Sequence, residues 1–285
     1  LFVTVSESRT AHRLSWLIAG AFANDDNHKK ATLLNNIGKA YLNLGDQHHA
    51  FHYCHQALRI YQQVGDFHGQ AVTLNNIGAI YDALGNKQQA LQIYQQALTF
   101  MQQAGDNGSQ AAILNNIGKV YSTLGYQDHA LHYYKQSLAL RRQIGDVSGQ
   151  AITLNNIGAA YNALGYQDYA LHYYKQSLAL RRQVGDVSGQ AVTLNNIGTV
   201  YDALGNKQQA LQYFEQSLAL RRQVGDVGGQ ATTCYNIGMI YVTLGNLDQA
   251  ITYVEWCIML EEEVQHPKLE NDRRTLARLK MQRDS

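Results

Sequence analysis

The strongest constraint on this 285-residue chain is a five-residue phrase that returns every 40 residues. Leu-Asn-Asn-Ile-Gly begins at Leu34, Leu74, Leu114, Leu154 and Leu194, and a variant, Cys-Tyr-Asn-Ile-Gly, begins at Cys234. Six repeats therefore follow one another without insertion, starting at Ala31, Ala71, Ala111, Ala151, Ala191 and Ala231. A fixed period of this size belongs to solenoids, propellers and arrays, whose units bury their apolar faces against their neighbours.

The periodicity inside a repeat selects helices. Between Val72 and Leu84 the apolar residues are Val72, Leu74, Ile77, Ile80, Tyr81 and Leu84, at spacings of three and four. Between Ala90 and Ala104 the pattern is again helical but covers a wide arc, so this second helix must be covered on more than one side. Strand-like alternation is absent. Each repeat is read as a helical hairpin of a first and a second helix.

Glycines punctuate the hairpins. Gly85 and its equivalents stand where the first helix ends, and Gly105 and its equivalents end the second. Glycine takes the left-handed closing conformation at little cost. Asp66, Asp106, Asp146, Asp186 and Asp226 are placed to cap the next first helix, and Asp46, Asn86, Asn206 and Asn246 to cap second helices. Tyr126 and Tyr166 break that pattern. A third glycine set, including Gly38, Gly78 and Gly118, lies inside the first helix, where it costs about 0.5–1 kcal/mol against alanine. Close approach of the second helix at Ala50, Ala90 and Ala130 is the expected reason.

Composition narrows the class. At 45% hydrophobic the chain is too apolar for disorder, and a net charge of +1 lacks the basic excess of a nucleic-acid binder. No apolar run reaches 18 residues, so no membrane helix is expected. Cys54, Cys234 and Cys257 are far apart and odd in number, which fits a reducing compartment and a cytoplasmic location. The chain opens on Leu1 without a basic leader and is read as a piece of a longer polypeptide.

Leu74, Ile77, Gly78, Tyr81, Gly85, Ala90, Tyr94 and Ala97 resemble the tetratricopeptide repeat (TPR) consensus in order and spacing, and the resemblance extends over residues 31 to 266. The family's proline at the end of the second helix is missing here. The 40-residue repeat resembles that of kinesin light chains, Pins-type proteins and large bacterial multidomain signalling proteins. The resemblance implies an all-α, right-handed superhelical solenoid of antiparallel helix pairs that binds other proteins and is not an enzyme. The expected layout is a partial, degenerate repeat over 1–30, then repeats at 31–70, 71–110, 111–150, 151–190, 191–230 and 231–266, then a capping helix and tail over 267–285.

In this family the first helices line the concave groove, which makes their polar residues the candidate ligand contacts. Asn35/Asn36, Asn75/Asn76, Asn115/Asn116, Asn155/Asn156 and Asn195/Asn196 repeat in mid-helix, followed by Tyr235/Asn236. The second residue of each pair matches a family position whose asparagine contacts bound peptide. Amides carry donors and an acceptor. They can hold a peptide backbone, or satisfy polar groups between neighbouring helices, and both readings stand. Lys39, Lys119, Asp82, Asn162 and Asp202 are placed along the same groove. An extended peptide or partner helix is the expected ligand. A spacer or self-association array is the alternative, because residues 131–158 and 171–198 differ at only two positions. No P-loop, nucleophile elbow, paired acid–base carboxylates or zinc spacing is present, and no cofactor, metal, nucleic acid or membrane partner is expected. His48, His52 and His55 have metal-compatible spacing but read as an exposed polar stripe. Arg141/Arg142, Arg181/Arg182 and Arg221/Arg222 read as a basic ridge favoured by the helix dipole. The cysteines read as buried apolar residues.

Overall fold

The computed structural model describes residues 26–265 and 267–284, which form 13 α-helices and no strand. Most of the expected N-terminal partial repeat lies outside the described residues. The helices divide into two compact halves, one ending at Asp146 and the other starting at Val147. The N-terminal half holds three hairpins: α1 (Asn27–Asn43) with α2 (Gln47–Gln63), α3 (Phe67–Ala83) with α4 (Lys87–Ala104), and α5 (Asn107–Thr123) with α6 (Gln127–Gln143). The C-terminal half holds α7 (Val147–Ala163) with α8 (Gln167–Gln183), α9 (Val187–Ala203) with α10 (Lys207–Val224), and α11 (Val227–Thr243) with α12 (Leu247–Glu263). A last helix, α13 (Leu269–Asp284), packs on α12, with Leu279 buried beside Ile251, Val254 and Ile258. No helix among the described residues is long and apolar enough to cross a membrane.

Each half is an all-α solenoid of antiparallel helix pairs. Within a half, every helix packs on the next in the chain. The first helices of successive hairpins also touch, α1 on α3 and α3 on α5, and likewise α7 on α9 and α9 on α11. Second helices stay further apart. The caps explain the helix boundaries. Asp66 accepts the Gly69 N–H at 2.8 Å to open α3. Gly85 at φ 81° closes it, and the Asn86 N–H donates to the Tyr81 carbonyl at 2.9 Å. Tyr126 and Tyr166 start α6 and α8 without a side-chain cap bond. Asn206 caps α10, whereas Asn86, in the same Asn-Lys-Gln-Gln context, makes no such bond.

The mid-helix glycines sit against rings more than against alanines. A Cβ on Gly118 would lie 2.6 Å from the Tyr134 ring and 3.2 Å from the Ala130 carbonyl oxygen. Tyr94, Tyr174 and Phe214 lie in the same way on Gly78, Gly158 and Gly198. The expected alanine therefore contributes its backbone, and the aromatic residue four positions later fills the space a side chain would take.

The arginine pairs depart from the expected ridge. Arg142, Arg182 and Arg222 are exposed, but Arg141, Arg181 and Arg221 are buried. Each buried guanidinium is the middle of a relay. Ser217 Oγ donates to the Ala191 carbonyl at 2.8 Å, Arg221 Nε donates to Ser217 Oγ at 3.3 Å, and Arg221 also donates to Asp226 at 2.7 Å. Asp226 in turn accepts the Gly229 N–H that opens α11. Ser137–Arg141–Asp146 and Ser177–Arg181–Asp186 repeat the arrangement. Burial pulls the Arg141 and Arg181 guanidiniums down, and the facing aspartates oppose this. In the second hairpin Ala97 and Met101 fill the same two positions with apolar bulk.

Truncating Arg221 to alanine takes from Ser217 and Asp226 the donor they share while each keeps one other partner, and because Asp226 is partly exposed the cost should be about 1–2 kcal/mol. The paired change S217A/R221M, which copies the second hairpin, should cost less than half of that. Urea unfolding of both variants measures the difference; equal losses would refute the relay as the source of stability.

Candidate functional site

The face formed by the first helices carries the paired asparagines, and their geometry is set by a register of 41 residues. In the N-terminal half, Asn76 Nδ2 donates to Asn35 Oδ1 and Asn116 Nδ2 to Asn75 Oδ1, both at 3.0 Å. In the C-terminal half, Asn196 Nδ2 donates to Asn155 Oδ1 at 3.2 Å and Asn236 Nδ2 to Asn195 Oδ1 at 3.3 Å. The second amide of one hairpin thus reaches the first amide of the hairpin before it. Thr193 and Thr233 hydroxyls donate to the same oxygens, Asn155 Oδ1 at 3.2 Å and Asn195 Oδ1 at 3.3 Å. One asparagine per slot is needed because donor and acceptor come from different repeats. The first slot of the last hairpin, which no further first helix follows in the described structure, holds Tyr235.

This ladder decides how much of each amide a ligand could meet. Asn35, Asn76, Asn115 and Asn155 are buried, while Asn75, Asn116, Asn156, Asn195, Asn196, Tyr235 and Asn236 are half-buried. Asn36, at the start of the row, is exposed. Beside the ladder, Lys39 and Lys119 are exposed, as are Ala159 and Thr199 at the matching positions. Asp82 and Asp202 are half-buried and each takes an ion pair from the lysine that opens the following helix, Lys87 and Lys207. Ser122 uses the same position to bond Gln127. Asp82 and Asp202 thus brace turns, and Asn162 is half-buried at their equivalent. The face is sparsely charged and rich in amides and small residues.

Other candidates do not form sites. His48, His52 and His55 do not converge; His52 bonds Gln56, and His55 is half-buried against the Phe51 ring. The polar-stripe reading missed His55, and the signal was available in Phe51, which stands where four of the other five repeats have leucine. All three cysteines are buried. Burial pushes the Cys54 thiol up to about 12 and that of Cys234 to about 11, so both stay protonated at neutral pH. Among the described residues, Cys257, Glu261 and Asp272 are the one group whose ligand atoms approach within 4.8 Å. Burial raises the Cys257 thiol too, and its Sγ donates to Asp272 Oδ2 at 3.7 Å, the arrangement of a protonated thiol in a packed contact.

Asn155→Ala removes the acceptor shared by Asn196 and Thr193 and should lower stability by about 1–2 kcal/mol. Tyr235→Asn, at the end of the ladder, should stay within about 0.5 kcal/mol of the parent. Thermal unfolding of the two variants compares them; a neutral Asn155→Ala would show that the amides carry no structural share.

Tetratricopeptide repeat models match residues 29–103 and 149–223, and further models of the same repeat match 110–144 and 231–263. No curated protein matches the chain. Among solved structures, BtubC (BKLC) from P. vanneervenii is 20% identical with a TM-score of 0.64, over 76% of this chain and 90% of that one. A Signal Transduction ATPase with Numerous Domains (STAND) protein with a tetratricopeptide repeat sensor, from Pyrococcus horikoshii, is 14% identical with a TM-score of 0.71, over 96% of this chain and 43% of that one. A Podosopora anserina putative kinesin light chain with nearly identical TPR-like repeats is 16% identical with a TM-score of 0.56, over 70% of this chain and 99% of that one. At these identities the likeness is one of fold. Repeats of this kind generally mediate protein–protein interaction and scaffolding, and the matches cover more than half of the sequence: the chain belongs to the tetratricopeptide repeat family.

Proposed function

We propose that the chain is a recognition segment that holds an extended peptide or a partner helix along its first helices. The observation that carries this reading is the set of exposed positions beside the amide ladder within each half, Lys39 and Lys119 in the N-terminal half and Ala159 and Thr199 in the C-terminal half, where few charges would have to be desolvated on docking. The second-slot asparagines at 36, 76, 116, 156, 196 and 236 border these positions, with Asn75, Asn195 and Tyr235 half-buried beside them. The structural likeness to a STAND protein with a tetratricopeptide repeat sensor, 43% of which this chain covers, supports a place within a larger signalling protein, which we read as a bacterial one working in the cytoplasm.

A second reading, a spacer or self-associating array, is favoured by the ladder itself. Four amide pairs already satisfy one another between helices, which accounts for repeating asparagine in both slots without any ligand.

Peptides selected from a displayed random library on the immobilised chain distinguish the two. Under the first reading the selected peptides should bind A159R/T199R at least about tenfold more weakly, a loss of about 1.4 kcal/mol, with thermal stability preserved. Unchanged binding to that variant would refute docking on this face. A chain that selects no peptide and grows in mass with concentration in light scattering would favour the array.

A further inference from the structure

In an array of near-copies, each repeat is a control for the others, and the positions where one hairpin departs from the rest mark what it alone has acquired. Departures gather at one place in the N-terminal half. Five of the six second helices carry tyrosine at the position that is Ile93 in α4. Elsewhere that tyrosine stacks on the first helix: Tyr133 lies on Tyr121 with centroids 5.4 Å apart and planes 7° apart, and Tyr53, Tyr173 and Tyr213 do the same in their hairpins. Tyr81 has no such ring from Ile93. The space left by the smaller side chain is part of a cavity of about 460 Å³ between α2, α3 and α4, on the second-helix side of α3.

Two of its other lining residues are departures too. Phe100 stands where the other repeats have leucine or isoleucine, and His55 where they have glutamine, lysine or glutamate. Ile77, Tyr81, Ile93 and Phe100 give the cavity its apolar side, with Leu58 and Leu74, and Gln62, Gln70 and Gln96 line it together with His55. The His55 Nε2 atom is shielded from solvent and has no hydrogen-bond partner. A buried polar atom without a partner is costly to leave unmatched, so a ligand that supplies one binds more tightly for it. Burial, with Arg59 nearby, holds the imidazole below its ordinary range, which leaves the ring neutral at physiological pH.

We propose that this cavity is a binding site for a small, neutral phenolic molecule. The aromatic ring is called for by the apolar side formed by Ile77, Ile93 and Phe100 and by the face of Tyr81 that carries no stacked ring from Ile93. The hydroxyl is called for by His55, because a phenol O–H both donates and accepts and so satisfies either tautomer of a neutral imidazole. A carboxylate or ammonium would lose hydration in a cavity whose lining holds no charged side chain to meet it. The volume falls within the range of small-ligand pockets, about 300–1,000 Å³. The site lies apart from the first-helix face and does not depend on the peptide reading.

The test uses 4-ethylphenol and ethylbenzene as probes, titrated into the full chain by calorimetry and followed at the Ile77 methyl resonance. 4-Ethylphenol should saturate and bind about tenfold more tightly than ethylbenzene. Ile93→Tyr restores the residue of the other five hairpins, so it should fold, stack on Tyr81 and abolish binding of both probes. His55→Gln, the residue of the second hairpin at that position, should keep ethylbenzene binding and lose the preference for the phenol. No saturation by the parent chain, binding that survives Ile93→Tyr, or a phenol preference that survives His55→Gln would each overturn the proposal.

Discussion

The contact on which each of the four inner hairpins depends is a flat ring laid on a glycine. Tyr94 on Gly78, Tyr134 on Gly118, Tyr174 on Gly158 and Phe214 on Gly198 let two helices approach at a point where any side chain would collide with the ring. Glycine costs the helix about 0.5–1 kcal/mol. Burying an aromatic residue at that point contributes about 1.5–3 kcal/mol, so the exchange is favourable. The terminal hairpins replace the ring with Cys54 and Val254 and keep the glycine. Glycine is therefore required by the short interhelical distance itself, of which the ring is the commonest filling.

That distance fixes the next level. With each hairpin held at one spacing, the first helices of neighbouring hairpins within each half meet at a constant register, and an amide in one reaches the amide 41 residues earlier. A slip of one residue would present Leu34 or Ile37 to the neighbour in place of Asn35 or Asn36. The ladder works as a register key as well as a set of hydrogen bonds. It also limits recognition. An amide with one N–H engaged along the row keeps its oxygen and its second N–H for a ligand, so part of its hydrogen-bonding capacity is already spent and the exposed lysine, alanine and threonine positions beside it share in whatever discrimination the face has.

Much of this was legible in the sequence because the physical signals repeat. The 40-residue period, the 3.6-residue apolar spacing and the glycine positions specify hairpins, and the structure places a helix boundary at every one of the turn glycines from Gly45 to Gly245. What was not legible is what a side chain does when two chemistries are open to it. An arginine near a helix C-terminus can face water or turn inward. Arg142 does the first and its neighbour Arg141 the second, because only position 141 has Ser137 one turn earlier and Asp146 five residues later. Asp82 and Asp202 were placed beside the groove by periodicity alone; the lysine five residues on, visible in the sequence, turns each toward the loop. The asparagine pairs expose a further limit. Periodicity shows that two amides recur but not that the partner of each lies one repeat away.

Near-identity between repeats also changes how a substitution should be weighed. In a chain of unrelated segments, an isoleucine in place of a tyrosine is one apolar residue among many. Here five hairpins show what the position ordinarily does, and Ile93 removes an aromatic stack that its neighbours keep. Losing that stack gives up about 0.5–1.5 kcal/mol beyond the buried area, and opening a void adds to the loss. Random drift at one site would leave the surrounding residues at consensus. Instead His55 and Phe100 change at the same opening, and Phe51 changes next to it, edge-on to Tyr81 at 5.7 Å and against the His55 ring at 4.1 Å. Filling the gap from within would take only the tyrosine the other hairpins already have. Enlarging the aromatic wall and adding an imidazole whose Nε2 has no partner while leaving the centre open is the pattern of a cavity maintained for something that enters it.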